Sequence, residues 1–187
     1  MNRQPIRVAL SLGLVWTLFS FGTPLAKRKV MANKKASTIT YAMRHPMHSW
    51  EGVSHDVTAA IVYDDEAKKV ETVAVIAKVA SFDSQNANRD SHAIESMEGI
   101  KYPNVTFSSQ QVQDDGTGKL TVVGNLTFHG VTRPVTIPVS RKMNDGMVIY
   151  AGNFDVKLTD FKVEKPTLMM VPVEDELKMK FSLAFRM

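Results

Sequence analysis

In LKMKFSLAFR, residues 177–186, Leu177, Met179, Phe181, Leu183 and Phe185 alternate with Lys178, Lys180, Ser182, Ala184 and Arg186. Five apolar residues at every second position describe a strand with one face against an apolar interior and the other toward water. The same period recurs upstream. Leu120, Val122, Leu126 and Phe128 share one parity with Gly124 among them, and Val148, Tyr150, Phe154, Val156 and Leu158 share another with Gly152 among them. Shorter series are Val135, Ile137 and Val139; Val105 with Phe107; and Val73, Val75, Ala77 and Val79. Val53, Val57, Ala59, Ile61 and Tyr63 read as one further series, and Ile39 to Met43 as the first strand, about eight strands in all.

Turn residues separate these runs. Asp64-Asp65-Glu66, Asp114 to Gly118, His129-Gly130 and Asn144-Asp145-Gly146 are positions where hairpins reverse, and strands joined by short turns are antiparallel. Period two is lost only in DSQNANRDSHAIESMEG, residues 83–99. There Asn86 or Asn88 can cap a short helix, Ile94 and Met97 are three apart, and Gly99 supplies the stop. Eight such strands close into a barrel or stack as a sandwich, and a barrel of that size holds packed side chains or one small ligand. Gly124 and Gly152, on inward parity, suggest a bend, a bulge or the close approach of another group, and leave unfilled volume in the barrel.

Composition narrows the function. The 187 residues are 44% hydrophobic and 22% charged, an ordinary globular proportion, and contain no Cys. Disulfide scaffolds, thiolate zinc sites, cysteine nucleophiles and a lipid-modified N-terminal Cys are thereby excluded. Arg3 and Arg7 precede an uncharged stretch, VALSLGLVWTLFSF at residues 8–21, so the rest of the chain carries 21 of the 23 basic residues against 19 acidic ones. That near balance gives no case for nucleic acid. Fourteen residues match the apolar region of a signal peptide and fall short of a spanning helix. Residues 1–32 therefore read as a signal peptide, cut after Ala26 or Ala32, with an uncleaved N-terminal anchor as the other option. The folded body is expected over 36–187, in the periplasm or secreted.

No catalytic constellation is visible. His45 and His48 are three apart, but Pro46 stands between them in strand and loop surroundings, which makes a poor metal pair. His92 near Asp90 could form an acid–base pair, although an Asp at a helix start ordinarily serves the helix dipole. There is no Gly-x-Ser-x-Gly elbow, phosphate-cradling glycine motif or His-Glu-x-x-His. The loop KPTLMMVP, residues 165–172, is apolar and bracketed by prolines, and is expected to close one barrel end.

FDSQNANRDSHAIES (82–96), IKYPNVTFSS (100–109) and GNLTFHGVTRPVTIPV (124–139), in this order and spacing, resemble the YceI-like family of lipocalin-like, polyisoprenoid-binding proteins. Tyr41-Ala42-Met43-Arg44-His45 resembles the family's first-strand pattern and Leu158-Thr159-Asp160-Phe161 its late Asp-Phe segment. Met47-His48-Ser49-Trp50 departs from it, standing where many members have a smaller, Gly-containing turn. The resemblance implies an all-β fold, an eight-stranded antiparallel lipocalin-like barrel with one short flanking helix. It also implies non-catalytic binding of an isoprenoid-tailed lipid, a quinone or polyprenyl chain, with no other cofactor required and transient membrane contact. A dimer is compatible with it. The candidate cavity and mouth residues are His45, Trp50, Phe82, Arg89, His92, Phe107, Phe128, Tyr150, Phe154, Phe161, Met169 and Phe181, with Arg89, His45 and His92 placed at a head group. The competing reading is an exported stress-response or protein-interaction module with a filled barrel.

Overall fold

A computed structural model describes residues 27–187. The apolar stretch at 8–21 lies outside the described residues. In chain order the strands are β1 (Lys27–Met31), β2 (Thr38–His45), β3 (His48–Ser54), β4 (Val57–Asp64), β5 (Lys69–Lys78) and β6 (Phe82–Asp83). The helix α1 (Ala87–Ser96) follows, and then β7 (Asn104–Asp114), β8 (Lys119–Phe128), β9 (Val131–Asn144), β10 (Met147–Lys157), β11 (Thr167–Leu168), β12 (Val171–Pro172) and β13 (Glu176–Phe185). Eleven strands make one antiparallel sheet in the order β1-β4-β5-β7-β8-β9-β10-β13-β2-β3-β6, while β11 and β12 form a separate hairpin.

The sheet curls because its two sides are joined by one kinked segment. β1 pairs with β4, then Ala32 bridges Phe185 at the end of β13 and the Asn33 N–H donates to the Ala184 carbonyl at 2.7 Å. After a single 3-10 turn at Lys34–Ala36 the chain resumes along β13 as β2. The fold is the expected antiparallel barrel, with more strands than the eight read from periodicity. The Val53–Tyr63 series splits into β3 and β4, because the chain leaves its β2 partner at His55-Asp56 and crosses to β5. The break flips the inward parity, from Trp50, Gly52 and Ser54 on β3 to Val57, Ala59 and Ile61 on β4, so Val53 does not belong to the series read from sequence.

β1 corrects the expected start of the folded body at Ala36. Its run of Lys27, Arg28 and Lys29 hides a strand in which Val30 alone is buried, 8% exposed, in the core. The charges are matched across the sheet: Arg28 Nε lies 2.7 Å from Asp65 and Lys27 Nζ 3.1 Å from Glu71. A cut after Ala32 removes this strand and the Ala32–Phe185 bridge, whereas a cut after Ala26 leaves both.

Two tips are two-residue hairpins at the predicted places. His129 and Gly130 have φ of +49° and +72°, and Asp145 and Gly146 +47° and +70°, the pair of left-handed values whose twist suits adjoining strands. Strand β9 carries Pro134 and Pro138, which a central strand would reject. β10 pairs with β9 only from Val139 onward, so both prolines sit where β9 has lost that neighbour. Helix α1 is capped by Asn86, whose Oδ1 accepts from the Arg89 N–H at 3.0 Å. At its other end Glu98, φ +44°, is the left-handed residue, and Gly99 is required because a Cβ there would meet Ile94 Cγ2 at 2.9 Å. The stop expected at Gly99 is thus made one residue earlier.

The interior contains two apolar clusters. Val57, Ala59, Ile61, Leu120, Val122, Tyr150, Leu183 and Phe185 belong to one; Met43, Leu126, Phe128, Val156, Leu158, Phe161 and Leu177 belong to the other. Phe107, Val135 and Phe154 pack against both and remain half-buried. Closely packed interiors bury such side chains fully, so their exposure marks internal space.

Candidate functional site

That space is a cavity of about 620 Å³ inside the curled sheet, within the roughly 300–1,000 Å³ of small-molecule sites. Its walls are the inward parities of β4, β5, β7, β8, β10 and β13, including Ile61, Val73, Val75, Leu120, Val122 and Leu183. Polar groups gather at α1 and the β2–β3 hairpin, where His48, Asn86, Arg89, Asp90, His92 and Ser96 line it. Burial pushes the Tyr41 and Tyr150 phenols up, so both present neutral rings to this space at pH 7.

Ten candidate residues, His45, Trp50, Phe82, Arg89, His92, Phe107, Phe128, Tyr150, Phe154 and Phe181, line this one cavity. Two do not. Phe161 is 2% exposed and lies behind the Phe128 ring, 5.5 Å between centroids, because the 3-10 turn at Thr159–Phe161 folds it under the barrel end. Met169 sits at the tip of the β11–β12 hairpin and is 78% exposed, so that loop contributes Pro166 and Thr167 to the wall and points its methionine away.

Of the expectations for the inward glycines, the close approach holds and the unfilled volume does not: each has an aromatic ring against it. A Cβ on Gly124 would meet Phe107 Cζ at 2.6 Å, one on Gly152 would meet Phe181 Cζ at 2.9 Å, and one on Gly52 would meet Tyr41 Cε1. Tyr41–Gly52 and Phe181–Gly152 are directly opposed pairs across the sheet. Rings laid flat on glycines pave the wall without filling the centre, an arrangement known to offset the weakness of glycine in strands.

Arg89 and Asp90 are fixed by Ser84 and not by each other. The Ser84 N–H donates to Asp90 Oδ1 at 3.1 Å and its hydroxyl donates to the same oxygen, while Arg89 donates from Nε to Ser84 Oγ at 2.8 Å and from Nη2 to the Ser84 carbonyl at 2.6 Å. The guanidinium also lies 5.5 Å over the Trp50 ring. This network docks α1 across the cavity and gives Arg89 a wall position. His92 is on the exposed side of the helix, 3.6 Å from Glu95, so it does not form the acid–base pair with Asp90 considered from sequence. His45 is buried, accepts at Nδ1 from the Met47 N–H at 3.3 Å and donates from Nε2 to the Val171 carbonyl at 3.2 Å. Both nitrogens are engaged in the wall, leaving neither for a metal shared with His48.

Tyr41 and Ser84 were missed as site residues. Tyr41 shares parity with Ile39 and Met43 and was legible in principle; Ser84 has no pattern of its own, since its role follows from the chain reversal before α1. Asp90→Ala is expected to lower stability by about 1–3 kcal/mol by stranding the buried Ser84 donors. Hydrogen exchange should then show protection lost over residues 87–96 while the sheet amides stay protected; uniform loss would mean that the network holds the barrel and not the helix.

Several known proteins share this architecture. The UPF0312 protein of Yersinia pestis (strain Pestoides F) is 30% identical over 186 residues, covering 94% of each chain. The crystal structure of Burkholderia cenocepacia BcnA superposes with a TM-score of 0.72 at 24% identity, covering 82% of this chain and 98% of that one. A polyisoprenoid binding domain from Saccharophagus degradans, implicated in plant cell wall breakdown, superposes with a TM-score of 0.62 at 11% identity, covering 86% and 99%. The model of the YceI-like domain matches residues 31–185, from the end of β1 to the end of β13, and the chain belongs to that family.

Proposed function

We propose that this protein binds an isoprenoid-tailed lipid, a quinone or a polyprenyl chain, in the apolar cavity and performs no chemistry on it. The observation that carries the reading is the cavity itself: about 620 Å³, walled mostly by aliphatic and aromatic side chains, with most of its polar groups at one end. A tail that buries about 400 Å² of apolar surface there gains about 10 kcal/mol before ordering costs are subtracted. Shape and area supply that term without a charged partner. The Saccharophagus degradans domain, with the same fold, supports this ligand class.

The protein acts after export, in the periplasm or outside the cell, with the signal peptide cut after Ala26 so that β1 is retained. The binding reading is tested by incubating purified protein with quinone-containing liposomes and recovering the lipid by solvent extraction. One lipid per protein is expected. Recovery no greater than from an unrelated protein would remove the proposal.

A further inference from the structure

Five of the large exposed apolar residues crowd one end of the barrel. Met47 is 71% exposed, Ile100 98%, Met169 78%, Met170 95% and Val171 41%. Strand pairing places them together: β2 turns into β3 at His45 and His48, β5 gives way to α1 and then β7 at Lys78 and Asn104, and β10 hands over to β13 at Lys157 and Glu176, all at this end. It is also the end where α1 and the polar groups line the cavity.

The apolar tips are held outward. His45 donates to the Val171 carbonyl at 3.2 Å and the Glu174 N–H donates to the Arg44 carbonyl at 2.8 Å, so the β11–β12 hairpin is tied to the β2–β3 hairpin beside it. Met169 and Met170 have φ of +51° and +64°, a turn shape that Asn and Gly adopt at least cost. Two methionines in that turn accept backbone strain and leave apolar side chains in water. A bilayer surface removes the second penalty, since unbranched thioether chains enter the acyl boundary readily.

The charged groups beside Met47 and Ile100 are paired, whereas Lys157, Lys162 and Lys165, in the connection that carries the β11–β12 hairpin, form no ion pair among the described residues. Arg44 Nε is 3.4 Å from Glu174, and Glu98 lies between His129 at 2.8 Å and Lys101 at 3.5 Å. Lysines free in this way add attraction to a phospholipid headgroup layer. We infer that Met47, Ile100 and the Met169-Met170 tip form a lip that inserts shallowly into the surface of a phospholipid bilayer, placing the cavity mouth against the membrane for lipid exchange. The choice of a bilayer as occupant rests on the isoprenoid-binding reading above.

The chain has no Cys, so a single introduced thiol can report on the surface. Full-length Met170→Cys and Met143→Cys, the second at the opposite end, are labelled with an environment-sensitive fluorophore and mixed with phosphatidylcholine vesicles. The label at 170 is expected to shift to the blue, equally at low and high salt, and the label at 143 to stay unchanged. Quinone transfer between vesicles by a Met169→Asp/Met170→Asp double variant is expected to fall about tenfold or more, about 1.4 kcal/mol or more. Its quinone content after saturation should match the parent. Equal shifts at both labels, or none at 170, would overturn the lip. So would a shift at 170 that appears without vesicles and grows with protein concentration, which would make the patch an interface between copies. If the 170 label inserts but no variant or parent binds quinone, the lip stands and the ligand reading fails.

Discussion

Val75→Trp is expected to abolish lipid binding while leaving the barrel folded. Val75 lies in the middle of β5, opposite Ala59 on β4 and Phe107 on β7, and is half-buried because its side chain faces the cavity. An indole at this position occupies space that a ligand tail would take. In a closely packed interior the same enlargement would force neighbours off their rotamers at about 1–3 kcal/mol. Here the indole has room, so the urea midpoint should shift by the equivalent of less than about 1 kcal/mol, and affinity for quinone should fall by about 100-fold or more, about 2.7 kcal/mol. A variant that loses stability and keeps binding would mean that the cavity is not where the lipid sits. A variant that loses stability and never bound would support the filled barrel.

Gly152→Ala is expected to carry a large stability cost for a single methyl added to the wall. The new Cβ would run into the Pro138 carbonyl oxygen and stand 2.9 Å from Phe181 Cζ. The phenyl ring can rotate away, but the carbonyl belongs to strand β9 and moves only with its backbone. About 3 kcal/mol of destabilisation is expected, at the upper end of overpacking effects. Gly116→Ala is the comparison: nothing lies within 4 Å of its Cβ, and only its φ of +78° opposes the change, at about 1 kcal/mol. Combining Gly152→Ala with Phe181→Leu should recover only the ring's share. Full recovery in urea denaturation would show that the β9 carbonyl is not the obstacle.

Side-chain parity carried most of the fold from sequence to structure. The β13 series Leu177 to Phe185 and the β8 series Leu120 to Phe128 face inward as read, and the His129-Gly130 and Asp145-Gly146 turns fall where their residues demanded. What parity cannot express was lost. β1 has one inward apolar residue among basic ones, so its strand character comes from pairing with β4 and not from its own pattern. The break between β3 and β4 flips the inward parity, which reading Val53 together with Val57 overlooks. The site divides in the same way. Residues such as Phe107 and Phe181 were found because inward aromatics on a barrel must face its interior, whereas Phe161 was misplaced because a 3-10 turn, set by tertiary packing, redirects it. The glycines signalled a close approach, but only geometry shows that the approaching groups are Phe107 and Phe181 and that they take up the volume.

The most direct test of a hollow, lipid-binding barrel is native mass spectrometry of the protein, purified without detergent from cells that contain membranes and then extracted with solvent. The expected spectrum shows one adduct per chain whose extracted mass is that of a quinone or polyprenyl lipid. Apo protein alone, unchanged after incubation with quinone liposomes while circular dichroism confirms the fold, would contradict it.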